Sequence, residues 1–564
     1  MSKRKLELTW DGKDEPLMVE PRILLYDEKN SSGDQSTGNM LIHGDNLLAL
    51  KALEDKFEGQ VKCVYIDPPF NTGQAFENYD DNMEISLWLN LMYHRLEIIH
   101  KLMSKDGTLL VHMDDGYLAY LTIMLDEIFG RNNRLYLVTF KQGAATGHKA
   151  INPGCITNTN FILIYAKSKS DWCPNKVYTK RDRDTRYGKY IVNIDSPFNE
   201  WKIITLTEAF AEEINEDLKT TRKIIKNNPS LIDKFVIEHS NSVIRTARPD
   251  IKNVGKNVVE KVNESKDNPD VVVYLHREND PDMYFINGER IIFYSNKTRN
   301  IDGEIVTAEP LTTLWDDILS NNLHNEGGVK FPKSKKPEHL IKRVLELTTN
   351  PGDLVLDSFL GSGTTAAVAH KMNRRYIGIE MGDHAYTHCK VRLDKIIDGN
   401  DAGGISKAVE WKSGGGYRFY ELAGTLVKLD SHGEHIISDE YDAEKLAAAV
   451  ALHEGYTYAP NKECFWKQAI GTENSYLFTT TRTITMPYLE SIAQNMNANE
   501  FLTIMAASFS PELSKAYKNI TLKNIPETLL ARCTFGVDDY SLPIIDPPQV
   551  EENENDEEDC DNEE

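Results

Sequence analysis

Apolar runs and helical periodicities alternate along two stretches of the chain and lapse between them. VKCVYI (61–66) is a short β-branched apolar run that predicts a buried strand. Ser86 to Lys105 carries Leu87, Leu91, Leu96, Ile99 and Met103 at near-helical spacing, and Gly107 breaks the pattern. TLLVHM (108–113) predicts a second strand, Tyr117 to Phe129 a helix stopped by Gly130, and FILIYA (161–166) a third strand. The alternation returns with a helix over Pro337 to Leu347, a strand DLVLDS (353–358), a helix over Ala366 to Met372 and a strand RYIGIE (375–380). Strands alternating with helices predict an α/β fold with a mostly parallel sheet. Residues 1–36 are polar and are expected to be irregular.

Between about 170 and 310 the pattern gives way to an Asn/Lys/Arg/Asp-rich stretch with scattered aromatics, which predicts an inserted domain. The expected organisation is an N-terminal extension (1–36), one half of an α/β core (37–170), an insertion (171–310), the other half of the core (311–400), an accessory region (401–545) and an acidic tail (546–564). No run approaches the roughly 18 apolar residues of a membrane span. The seven cysteines are scattered without a CxxC, so neither a disulfide framework nor a structural or catalytic metal is expected, and a cytoplasmic setting is.

The net charge of −23 argues at first against a nucleic-acid partner. Its distribution changes the picture. The last fourteen residues carry ten acids and no base, whereas Asp171 to Asn300 holds 22 Lys+Arg against 21 Asp+Glu. Within that stretch, 176–190, 220–228 and 293–300 interleave Arg and Lys with Asn and Tyr, which suits phosphate and base-edge contacts. For any single cluster a solvated face remains an alternative.

Two loops carry candidate chemistry. LDSFLGSGTTAA lies between a strand and a helix, where Gly361 and Gly363 let backbone approach a ligand and the helix presents its first amides. Glu380 ends the next strand, where an acid can accept both hydroxyls of a ribose. The loop indicates an adenosine-type ligand. It fits a nicotinamide cofactor too, and a plain glycine turn stays open; no Lys follows it as in a phosphate-binding loop. The second loop, Asp67-Pro68-Pro69-Phe70, follows the strand 61–66. Its prolines offer no N–H, so Asp67 and the carbonyls make an all-acceptor site beside an aromatic face. An exocyclic amine on an extrahelical adenine is its natural partner. Stiffening of a sheet edge is the bland alternative. Asp114-Asp115 reads equally as pocket wall or helix cap, and His94, His112 and Cys63 read as structural.

These residues resemble the beta class of amino-methylating DNA methyltransferases, and within it the modification subunits of type III restriction–modification systems. The resemblance rests on IHGDNLLAL (42–50), VYIDPPFNTG (64–73), WLNLMYHRL (88–96), GTLLVHMDD (107–115), FILIYAK (161–167), FPKSKKPEHLIKRVLEL (331–347), LDSFLGSGTT (356–365) and IGIE (377–380), with 403–422 similar to the block after the core. The order, catalytic loop before cofactor loop with a long insertion between, is that of the beta class. The resemblance implies a Rossmann-like methyltransferase core with circularly shifted motifs and a target-recognition insertion. It implies S-adenosylmethionine as cofactor, double-stranded DNA as substrate, a helicase–nuclease restriction subunit as partner and a homodimer. By position it makes Asp67, Pro68, Pro69 and Phe70 the catalytic motif. Phe359, Gly361, Gly363 and Thr364 become the cofactor turn, and Asp357 a contact to the methionine amino group. Glu380 becomes the ribose acid, Asp45 an acid near the cofactor's adenine, and Lys336 and Pro337 neighbours of the methionine end. Phe70 departs from the commoner Tyr and keeps the stacking face. Asp67 favours adenine N6 over cytosine N4, whose methylases usually carry Ser there. Competing readings are a DNA-recognition subunit guiding a separate helicase–nuclease, a cytosine-N4 methyltransferase, an RNA or protein-amide methylase and a nicotinamide oxidoreductase.

Overall fold

The structure, a computed structural model, describes residues 7–14, 18–69, 81–143, 154–278, 280–318, 323–331, 335–401, 403–429, 435–525, 529 and 535. Phe70 and the acidic tail 546–564 therefore lie outside the described residues. The chain divides into two compact units, one formed by Met1–Asn175 with Thr313–Glu564 and the other by Lys176–Thr312.

The first unit is built on ten strands: β1 (Leu24–Gly33), β2 (Met40–His43), β3 (Val61–Ile66), β4 (Met103–Met113), β5 (Arg134–Lys141), β6 (Thr159–Ala166), β7 (Leu314–Trp315), β8 (Leu354–Asp357), β9 (Arg375–Glu380) and β10 (Gly416–Leu422). Their spatial order is β1-β10-β2-β9-β8-β3-β4-β6-β5-β7. The six from β10 to β4 run parallel, while β1 and the pairs β4–β6 and β6–β5 are antiparallel. This is a mostly parallel α/β sheet. The central strands are apolar on both faces because helices cover both. Helices α1 (Asn46–Phe57), α2 (Asp81–Leu102) and α3 (Asp115–Leu125) pack on one side, burying Leu50, Trp88, Met92, Leu96 and Leu121 against Val64, Ile66, Val111 and Leu356. Helices α4 (Glu338–Thr348) and α5 (Thr364–Lys371) contact β3, β8 and β9, and α6 (Val391–Ile397) packs on α5.

Three sequence expectations need correction. Residues 1–36 are not irregular throughout: β1 pairs with β10 as an edge strand. Its mixed polar sequence gave no buried-strand signal, because only part of one face is covered. The helix expected to reach Lys105 ends at Leu102, since Met103 pairs with Val61 and is drawn into the sheet. The third strand, β6, runs antiparallel to β4. Residues 416–422 lie in the main sheet, between β1 and β2. A smaller sheet within 457–524 follows, with Ser475–Ile484, Phe501–Phe509 and Ile520–Asn524 parallel.

The second unit has a six-stranded antiparallel sheet, helices at 206–214, 218–227, 229–238 and 256–267, and a three-stranded sheet. Of the basic residues noted in its sequence, Arg183 pairs with Asp233 at 2.6 Å and Arg186 with Asp184 at 2.6 Å. Tyr178 lies under both Lys176 and Arg299, 5.5 and 4.6 Å from its ring centre. Leu218–Asn227 carries Lys219, Arg222, Lys223 and Lys226, all exposed or half-buried.

Candidate active site

Parallel pairing gathers four chain segments at one sheet edge, the carboxyl end where α/β proteins place ligands. Asp357 ends β8 opposite Gly378 of β9, Glu380 ends β9 opposite His43 of β2, and Asp67 follows β3, which pairs with β8. The turn 358–363 and the Asp67-Pro68-Pro69 segment thus leave neighbouring strands on the same side.

Asp67 and Lys336 meet there. Lys336 Nζ lies 2.6 Å from Asp67 Oδ2, and both side chains keep some exposure, 13% and 19%. The other carboxylate oxygen, Oδ1, is buried and has no hydrogen-bond partner among the described residues. Burial raises the Asp67 pKa above the usual carboxylate range, against the opposing pull of Lys336. The Pro69 carbonyl accepts a 2.9 Å hydrogen bond from Trp88 Nε1, and Trp88 is fully buried, so the loop is anchored from below.

Asp357 is buried. Its Oδ1 accepts the Phe359 N–H at 3.0 Å and its Oδ2 the Thr365 hydroxyl at 2.6 Å. Burial, reinforced by Asp67 and Glu380, pushes its pKa up to about 7. Glu380 accepts N–H groups from Gly361 at 2.7 Å and Gly382 at 3.2 Å, and burial raises its pKa. The site therefore holds three carboxyls that burial disfavours as anions.

The glycine turn needs its glycines. Gly361 has φ +55° and Gly363 φ +80°, in the left-handed region. A Cβ on Gly363 would stand 3.1 Å from the Cys389 backbone. Among the described residues, a Cβ on Gly361 would meet nothing nearer than Phe331 at 4.0 Å, so space lies open beside it. Phe359 packs against the main core.

Other candidates are committed to scaffold. Asp45 caps α1, accepting the Leu47 and Leu48 N–H groups at 2.9 and 3.1 Å, and pairs with Arg95 at 3.2 Å. Thr364 Oγ1 donates to the Lys336 carbonyl at 3.3 Å and accepts from Arg392 at 2.8 Å. Pro337 caps α4 with extended backbone. Asp114 caps α3 through the Gly116 N–H at 3.1 Å. His112 is buried between Tyr65 and Asn160, and burial holds it well below its ordinary pKa.

The structure adds residues that sequence reading did not single out. Arg95 of α2 grips Asp45 and the Asn46 side chain, and Asn46 Nδ2 donates to the Ser358 carbonyl at 2.7 Å, tying the β2–α1 turn to the β8 loop. An arginine inside an apolar helix was the available signal. Behind the glycine turn, Glu338 is fully buried and pairs with Lys371 and Arg392, each at 2.7 Å, while Asp401 pairs with Lys371 at 2.7 Å. Arg392 in turn holds the Ser362 carbonyl at 3.3 Å. Among the described residues no His/Cys/Asp/Glu group could hold a metal ion, and no helix is long and apolar enough to cross a membrane.

Residues 61–390 match the family described as DNA methylase. The chain is 37% identical over 425 residues to the probable type III restriction-modification enzyme HindVI Mod subunit of Haemophilus influenzae, covering 70% of this chain and 55% of that protein. It is 24% identical over 456 residues to the type III restriction-modification enzyme EcoP15I Mod subunit of Escherichia coli, covering 70% and 65%. With the type II methyltransferase M.EcaI of Enterobacter cloacae it shares 25% over 397 residues, covering 67% and 75%. The chain thus spans between half and two-thirds of the two Mod subunits.

Proposed function

The chain belongs to the DNA methylase family, and we propose that it transfers a methyl group from S-adenosylmethionine to N6 of a flipped adenine in double-stranded DNA, as the modification subunit of a type III-like restriction–modification system. The observation that carries this reading is the buried Oδ1 of Asp67, without a hydrogen-bond partner among the described residues, beside the buried carboxyls of Asp357 and Glu380, with Lys336 paired to the other Asp67 oxygen. Such a site is suited to an amine donor on one side and a cationic ligand on the other.

The cofactor, when bound, supplies an electrophilic methyl on a sulfonium. The residues present fit it: open space at Gly361, a buried carboxyl at Asp357 for an ammonium, and Glu380 for a ribose diol. Phe359, Gly361 and Gly363 form the turn that receives it, and Lys336 and Pro337 border its carboxylate end. Asp45 and Thr364 act through the scaffold, because their polar atoms are engaged in caps and ion-pair networks. Asp67 and the Pro68 carbonyl accept the amino N–H groups and draw the nitrogen toward a tetrahedral form whose lone pair faces the methyl. Asp67 also opposes the positive charge that develops on N6. Pro68 and Pro69 keep the acceptors rigid, and Phe70, outside the described residues, provides the stacking face. The unit 176–312 reads the DNA site, a helicase–nuclease subunit is the partner, and the protein works as a homodimer.

The test is transfer of labelled methyl from S-adenosylmethionine to DNA, followed by nucleoside chromatography. N6-methyladenine is the expected product. N4-methylcytosine would overturn the base assignment, and no transfer to any DNA would overturn the activity.

A further inference from the structure

The ion pair between Lys336 and Asp67 joins residues to which the reading above gives different partners. Lys336 borders the cofactor's carboxylate end, whereas Asp67 awaits the target amine. In the structure they neutralise one another at 2.6 Å. The Lys336 backbone is fixed: its carbonyl accepts the Thr364 hydroxyl at 3.3 Å, Pro337 follows, and Glu338 is locked between Lys371 and Arg392. The side chain is a flexible stem ending in a compact charge, able to change partner without moving the backbone. While the ammonium stays on Asp67 it occupies one acceptor oxygen and sets a cation beside a nitrogen that must itself become positive.

We propose that Lys336 is a positioning residue that exchanges Asp67 for the carboxylate of the cofactor's methionine end, so that cofactor binding frees Asp67 to accept the target amine. The proposal rests on the methyltransferase reading. By linkage the two binding events favour one another to the same extent, and coupling factors of this kind commonly run from roughly 5- to 150-fold.

The experiment is calorimetric binding of S-adenosylhomocysteine, which has the carboxylate and no sulfonium charge, to the full chain and to Asp67→Asn, Lys336→Met and the double variant. Methylthioadenosine, which lacks the amino-acid end, is the control. Releasing Lys336 from Asp67 should tighten S-adenosylhomocysteine binding by Asp67→Asn by roughly fivefold or more, with methylthioadenosine affinity unchanged. In the Lys336→Met background Asp67→Asn should add nothing. Unchanged or weaker S-adenosylhomocysteine binding by Asp67→Asn, with the wild-type chain binding normally, would overturn the exchange and leave the cofactor reading standing. A gain that persists without Lys336 would also overturn it, since the gain would then come from direct repulsion between Asp67 and the ligand. Failure of the wild-type chain to bind S-adenosylhomocysteine would overturn the cofactor reading and the exchange with it.

Discussion

Replacing Asp357 with Asn should stabilise the ligand-free protein above neutral pH while weakening cofactor binding. In the unfolded chain this carboxyl ionises near its ordinary value of 3.8, but in the fold burial holds it at about 7. Between those values the unfolded state binds fewer protons than the folded state. Stability therefore falls as pH rises, by about 1.4 kcal/mol per unit for a fully expressed shift. The accumulated penalty above pH 7 is about 4 kcal/mol. Asn keeps the shape, can accept the Phe359 N–H and can face the Thr365 hydroxyl, so most of the penalty should be recovered. The assay is chemical unfolding of wild type and Asp357→Asn at pH values from 4.5 to 8, without ligand. The variant should gain over the wild type progressively with pH and level off above 7. Parallel stability curves for the two proteins, or a variant less stable at pH 8, would refute the argument. A site that destabilises the empty fold in this way is ready for a ligand carrying positive charge.

Three further outcomes follow from the same structure. Glu338→Ala leaves Arg392 with an uncompensated buried charge and Lys371 paired with Asp401 alone among the described residues, and should cost about 3–5 kcal/mol in unfolding measurements; because Glu338 is held below its usual pKa by Arg392 and Lys371 in spite of burial, its contribution should fade only as pH drops below about 4.5. Gly361→Val puts a β-branched residue at φ +55° and fills the open space beside the turn, so it should cost about 1–3 kcal/mol of stability and at least tenfold in S-adenosylhomocysteine affinity by calorimetry. Deleting residues 551–564 removes ten acids and should tighten binding to non-specific duplex DNA at low salt, an effect that fades as salt rises in a filter-binding titration.

The strands at 61–66 and 375–380 were legible to the residue, because strands buried on both faces read as near-continuous apolar runs, here interrupted only by Lys62 and bounded by Arg375 and Glu380. Strands with an open face were not. Leu24–Gly33 mixes charged and polar residues, and Arg134–Lys141 leaves Tyr136 and Leu137 exposed, so neither carries that signature. The sheet edge was legible at Asp67, Asp357, the glycine turn and Glu380, since each ends or follows a recognisable strand. What could not be read was how their polar groups are spent. The Asp45 carboxylate goes to a helix cap and Arg95, and Lys336 turns to Asp67. Such pairings depend on which strands lie side by side, and the buried Glu338, Lys371, Arg392 and Asp401 cluster joins segments that only the folded sheet brings together.

The central claim is that the acceptor site at Asp67 directs methylation of adenine N6. Its most direct test is methylation-sensitive long-read sequencing of DNA from cells expressing this chain or its Asp67→Ala variant. The wild-type chain should leave N6-methyladenine at one recurring sequence and the variant none. Modified adenine that persists in the variant, or a modification confined to cytosine, would contradict it.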